Sequence, residues 1–131
     1  MQKVTGIGGV FFKAQNPEKL MEWYDKNLGI KFNDDHVEFR WSDEPASKAP
    51  GSTTFSIFKD NTKYFDPGTK AYMINFRVAD LNGLLMELSK NGVAVSPENE
   101  IEELDYGKFG WCVDPEGNKI ELWEPASEAH S

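Results

Sequence analysis

Apolar positions along the chain follow two periods, and each period appears twice. Residues 6–14 alternate, with Val10, Phe12 and Ala14 on one side and Gly9, Phe11 and Lys13 on the other. That spacing predicts a strand. Asn16-Pro17-Glu18 then reads as a helix start: a capping amide, a ring preorganised for the first turn, and a carboxylate at the positive helix end. Leu20, Trp23, Tyr24, Asn27 and Leu28 recur at helical spacing up to Gly29, which predicts a helix over 17–28. A short strand over 30–32 and a turn at Asn33-Asp34-Asp35 follow. In 36–41, Val37, Phe39 and Trp41 face one way and His36, Glu38 and Arg40 the other. Residues 42–52 hold two prolines and a glycine and read as a loop. A strand over 53–58 and a longer connection over 60–70 complete this half.

The pattern then restarts. Tyr72, Ile74, Phe76 and Val78 alternate with Met73, Asn75 and Arg77. Asp80 caps a helix carrying Leu81, Leu84, Leu85 and Leu88, closed by Gly92. A short strand over 93–95 and an acidic loop over 96–105 lead to strands over 106–113 and 118–123. Asp114-Pro115-Glu116-Gly117 joins those two as a type I turn with a left-handed glycine. A shift of about 64 residues lays Val10 on Ile74, Phe12 on Phe76, Asn16 on Asp80 and Leu20 on Leu84. We therefore expect one α+β domain over 1–131, built from two βαβββ modules at 5–62 and 70–125 with an acidic tail over 126–131. Together they make a curved mixed sheet whose concave face forms a pocket.

Composition narrows the class. Nine Phe, four Trp and four Tyr exclude a disordered chain. With 22 acidic and 14 basic residues the net charge is -8, which argues against nucleic-acid binding. No run approaches a membrane-spanning length, and the first five residues have no apolar core of a leader. One cysteine, Cys112, rules out an intrachain disulfide. These features lead us to expect a soluble cytoplasmic protein that acts on a small molecule or a protein and has no membrane or nucleic-acid partner.

Familiar motifs do not apply. Gly6-x-Gly8-Gly9 precedes a strand, whereas a dinucleotide loop follows one. No serine sits in a nucleophile elbow, and Cys112 reads as a packed small residue. Alternation instead puts Phe11, Lys13, Met73, Asn75, Arg77, Lys119, Glu121 and Trp123 on one face, joined by Thr54, Ser56 and Phe58. Aromatic walls with a few convergent polar groups suit a small molecule. The candidate ligand-binding residues are Phe11, Ser56, Met73, Asn75, Arg77 and Trp123, and the candidate catalytic residue is Glu121. Asn75 would orient a carbonyl, and Phe11 and Trp123 would stack on a planar ligand or else serve as core or dimer interface. Arg77 either grips an anion bidentately or pairs with Glu121. Glu121 would act as a general base if the pocket raises its pKa.

Three stretches carry a family resemblance: Trp23-Tyr24…Leu28-Gly29, the run from Asn75 to Leu81, and the run from Asp114 to Trp123. On these the chain resembles the vicinal oxygen chelate superfamily, the group of glyoxalase I, bleomycin-resistance proteins and extradiol dioxygenases. Within it the chain is most similar to bacterial glyoxalase-like proteins. The resemblance implies the duplicated fold and a homodimer. It also implies four metal-ligand positions, which here fall on Gly9, on Thr54 or Ser56, on Met73 and on Glu121. Only Glu121 is a usual ligand, and a metal site of this kind needs at least three. We therefore expect no metal and no cofactor. His36 and Glu38 share a strand face as the one rearranged pair, and His130 lies in the tail. Two functions follow from the resemblance. One is a binder of the bleomycin-resistance kind, sequestering a metabolite or antibiotic. The other is a lyase or isomerase, metal-free or with an atypical metal, acting next to a carbonyl with Glu121 as base.

Overall fold

The computed structural model describes residues 4–41 and 51–126. Strand β1 (Val4–Ala14) leads into helix α1 (Pro17–Leu28), followed by β2 (His36–Arg40) and β3 (Ser52–Lys59). After the connection come β4 (Tyr72–Val78) and α2 (Leu81–Lys90), then β5 (Glu102–Leu104), β6 (Gly107–Val113) and β7 (Lys119–Pro125).

Local chemistry sets the helix ends. The Asn16 side chain accepts from the Lys19 amide at 3.1 Å, Pro17 opens α1, and Gly29 closes it at φ 70. Asp80 accepts from the Gly83 amide at 3.0 Å, and Gly92 follows α2 at φ 81. In the last turn Gly117 takes φ 84, and Asp114 Oδ1 accepts from the amides of Glu116 and Asn118, both at 2.9 Å. Those bonds fix the register of β7 against β6, and hence the direction in which Glu121 points.

Among the described residues seven strands form one curled sheet in the order β2-β3-β1-β4-β7-β6-β5. Strand β1 runs parallel to β3 and β4 parallel to β7, while β1 and β4 pair antiparallel at the centre. The register repeats with the order. Phe11 lies opposite Ser56 in one half, and Asn75 lies opposite Glu121 in the other.

Three expectations need correction. The segments 30–32 and 93–95 are not ladder strands. Residues 30–32 pair with no strand among the described residues and only the next residue, Asn33, bridges to His36, while 93–95 contributes the single bridge of Val95 to Cys112. In the first, the Asn33 amide bonds the His36 carbonyl at 2.7 Å, which closes a tight turn over Asp34 at φ 60. The acidic segment 96–105 is not all loop, because Glu98–Glu100 makes a 3-10 turn and Glu102–Leu104 is β5.

The two helices pack unequally. Helix α2 buries Leu81, Leu84 and Leu85 against Val78, Cys112 and Leu122. Helix α1 buries only Pro17 and meets the sheet through aromatic edges, with Tyr24 and Phe55 ring centroids 5.4 Å apart. Its Trp23 and Leu28 stay exposed. A smaller cluster of Phe11, Phe65 and Met73 packs with Phe58. Among the described residues no helix is long and apolar enough to cross a membrane.

This asymmetry sets a test. Leu81, fully buried, should lose about 2–5 kcal/mol of stability on substitution by alanine, because a cavity opens under α2. Leu28→Ala, at a position 60% exposed, should change stability by less than about 0.5 kcal/mol. Urea denaturation of both variants checks the contrast.

Candidate functional site

The site begins with strand parity. Alternate residues of β1, β3, β4 and β7 face the concave side, and the β4–β7 register sets Asn75 beside Glu121. Both side chains are buried, at 2% and 5% exposure. The Asn75 Nδ2 donates to Glu121 Oε1 at 2.7 Å. The other oxygen, Oε2, accepts from the Tyr64 hydroxyl, which comes from the connection between β3 and β4. A buried carboxylate is tolerable when it is hydrogen-bonded, and here each oxygen has a donor.

Electrostatics follow from this geometry. Burial raises the Glu121 pKa above the ordinary carboxylate range. The bonds from Tyr64 and Asn75 and the charge of Lys119 oppose the shift, and the Glu102 charge adds to it. Burial, and then the neighbouring Glu121 charge, push the Tyr64 phenol far up, so it stays a donor. Lys119 Nζ donates to the Tyr64 carbonyl at 2.6 Å and sits 4.9 Å from its ring centroid. Burial lowers the Lys119 pKa against the pull of nearby carboxylates.

Glycine makes room for the triad. A Cβ at Gly8 would overlap Asn75 Oδ1, so the amide fits only over a residue with no side chain. That Oδ1 has no hydrogen-bond partner among the described residues.

Glu121, Asn75 and Tyr64 border a cavity of about 490 Å³. Two stacked ring pairs border it as well. Phe58 and Tyr64 have centroids 5.6 Å apart at 9°, and Phe109 and Trp123 are 6.0 Å apart at 5°. The Trp123 Nε1 donates to the Tyr106 carbonyl at 3.1 Å, which fixes the indole. A second cavity of about 340 Å³ adjoins across Tyr64 and Glu121 and reaches Lys119 and Trp111.

Of the residues expected from sequence, Phe11, Ser56, Asn75, Glu121 and Trp123 border the larger cavity. The Ser56 hydroxyl donates to the Asp35 carbonyl at 3.0 Å. Met73 and Arg77 stand outside the cavity lining. Met73 is 1% exposed and packs among Phe11 and Phe65. Arg77 lies opposite Trp123 in the register, its guanidinium 5.9 Å from the indole ring centre, so Asn75 rather than Arg77 is the residue level with Glu121. Sequence reasoning missed Tyr64. It sits in a connection without period, and the only signal was an adjacent aromatic pair, Tyr64-Phe65, in a polar stretch. Glu102, Tyr106 and Phe109 were also missed: Glu102 lies on β5, which reads as loop, and Tyr106 and Phe109 fall in the strand expected over 106–113, whose two faces were not assigned.

The four metal-ligand positions implied by the resemblance do not suit a divalent ion. A Cβ at Gly9 would meet the Phe11 ring at 2.8 Å and the Thr54 carbonyl at 3.0 Å, so an aromatic ring fills the space of a first ligand. Met73 is enclosed by apolar rings, and Ser56 is a neutral hydroxyl. Among the described residues no group of three His, Cys, Asp or Glu could hold a metal ion. His36 and Glu38 both border the cavity, but the His36 Nδ1 lies 3.3 Å from Asp35 Oδ1. His130 falls outside the described residues. Cys112 is buried, and burial pushes its thiol up to about 11, as fits a packed residue.

No protein-family model and no curated protein sequence matches the chain. Solved structures match along nearly its whole length. Methylmalonyl-CoA epimerase from Streptomyces coelicolor, in complex with 2-nitronate-propionyl-CoA, superposes with a TM-score of 0.70 at 14% identity, over 95% of this chain and 100% of that one. Methylmalonyl-CoA epimerase from Mycobacterium tuberculosis does so with a TM-score of 0.59 at 22% identity, over 96% and 91%. The Mn(II)-bound glyoxalase from Novosphingobium aromaticivorans gives a TM-score of 0.55 at 12% identity, over 97% of this chain and 42% of that one. The curled sheet, its repeated register and these three likenesses agree: this chain has the vicinal oxygen chelate fold.

Proposed function

We propose that this protein binds a small molecule in the larger cavity, with Glu121 as its polar anchor, and that binding needs no metal at the four family positions. One observation carries the reading: a buried carboxylate held by Tyr64 and Asn75 opens on a cavity of about 490 Å³. Volumes of this order suit a drug-sized ligand, and stacked rings beside a few fixed polar groups are the usual lining. Capture without turnover, as in sequestration of a metabolite or antibiotic, needs nothing more than this complementarity.

A second reading has its own support. Burial raises the proton affinity of Glu121, which suits a base that removes a proton next to a carbonyl. A carboxylate offers about four acceptor positions, and Tyr64 and Asn75 use two. Two structural neighbours are an epimerase and a glyoxalase, which favours an enzyme.

A thermal-shift screen of metabolites and antibiotics, followed by turnover assays of the hits, separates the two. If the protein only captures its ligand, Glu121→Gln weakens binding about tenfold or more through the lost charge-assisted contact, and no hit is converted. If Glu121 is the base, the same change lowers kcat by about 10²–10⁴ while binding survives. Unchanged affinity and unchanged turnover in Glu121→Gln would sink both. Titration with zinc, nickel, manganese and ferrous ions checks the metal clause, and tight one-to-one binding of any of them overturns it.

The carboxylate also makes a stability prediction. The folded state holds the Glu121 proton more tightly than the unfolded chain, because its pKa is raised. This contribution therefore falls as pH rises from the ordinary glutamate value of about 4.3 through the folded value. Urea denaturation of wild type and Glu121→Gln between about pH 4 and 8 should show the wild type losing ground to the variant as pH rises. A difference that stays flat or runs the other way means that Glu121 is not raised.

A further inference from the structure

Charge and ring geometry narrow what the larger cavity accepts. Four carboxylate residues border it: Asp35, Glu38, Glu102 and Glu121. Glu38 lies on β2 and Glu102 on β5, the two outermost strands, whereas Glu121 lies on β7 nearer the centre. Negative charge thus meets the space from both rims and from within. Among the described lining residues there is no lysine or arginine. His36 is the one basic side chain there, and it sits 3.3 Å from Asp35. Burial does most to raise the proton affinity of Glu121 and Tyr64; the Glu102 charge adds to both, and the Lys119 charge, from outside the lining, opposes the rise at Glu121. An anionic ligand would add to this repulsion, and a cation would relieve it.

The rings point the same way. Aromatic faces carry a negative quadrupole and attract cations within about 6 Å. The protein's own cations already exploit these rings from outside the larger cavity: Lys119 over Tyr64 at 4.9 Å and Arg77 over Trp123 at 5.9 Å. Tyr64 and Trp123 each stack on a second ring, Phe58 and Phe109, that also borders the cavity. Rings of this kind beside a carboxylate recognise an ammonium head attached to an apolar body.

We infer that the ligand of this cavity is an organic cation, an amine or quaternary ammonium carrying an apolar or aromatic body. The inference rests on the cavity being a binding site at all.

The test titrates three phenyl-bearing probes of different charge, benzyltrimethylammonium, benzyl alcohol and benzoate, followed by amide NMR shifts and tryptophan fluorescence. The ammonium should shift residues around Glu121 and Trp123 and bind about tenfold or more tighter than benzyl alcohol, with benzoate weakest. Added salt should weaken the ammonium alone. Glu38→Gln and Glu102→Gln, both at exposed positions, should each weaken the ammonium about two- to fivefold and leave benzyl alcohol unchanged. Benzyl alcohol or benzoate binding as tightly as the ammonium, or no effect of either variant, overturns the cation inference and leaves the binding site standing. Absence of any shift at cavity residues with all three probes overturns both.

Discussion

Everything in the site depends on holding one carboxylate inside a sheet. An isolated ionised carboxylate cannot be buried without severe loss of hydration, and donors must replace the water. Glu121 gets one donor from Asn75, which the parallel β4–β7 register sets alongside it. It gets the other from Tyr64, which the strand ladder does not control. The connection must therefore be pinned by other means. Phe65, 1% exposed, anchors it among Phe11 and Met73, and Lys119 clamps the Tyr64 carbonyl at 2.6 Å. Gly8 completes the arrangement by leaving space for the Asn75 amide. A change at Gly8 or Phe65 would thus reach Glu121 without touching it.

Duplication explains the layout, and divergence between the halves explains the chemistry. The same register places Phe11 opposite Ser56 and Asn75 opposite Glu121. In the first half that pair is a ring and a hydroxyl turned to a backbone carbonyl, so it forms wall. In the second it is an amide bonded to a carboxylate, so it forms the polar centre. The helices diverge too, since α2 carries the leucine core while α1 rests on aromatic edges.

Much of this was legible in the sequence, for reasons that also mark where legibility ends. Caps and turns are local, so both ends of α1 and the turn at Asp114-Pro115-Glu116-Gly117 could be read directly. Strand parity is nearly local, so Phe11, Ser56, Asn75, Glu121 and Trp123 were assigned to the face that borders the cavity. Parity gives the face but not the depth. Met73 shares the face of Asn75 yet packs among rings, two of them from the same cluster, and Arg77 lies one step beyond, level with Trp123. Tyr64 needs contact across 57 positions from a segment without period, which no local pattern encodes. Strand β5 has three exposed residues and no alternation to reveal it.

The positions where the family resemblance implies metal ligands show how one sheet supports different chemistry. At Gly9 the space of a ligand side chain is filled by the Phe11 ring, and at Met73 an apolar chain is enclosed by others. These positions are packed, and they leave Glu121 as the one carboxylate of the four. A bound divalent ion would neutralise a carboxylate and hold it ionised. Hydrogen bonds from neutral donors do so less completely, and burial then raises its proton affinity. The same glutamate position that suits metal coordination in one setting therefore sits here, in an aromatic cavity, with two neutral donors on it and its proton affinity raised by burial.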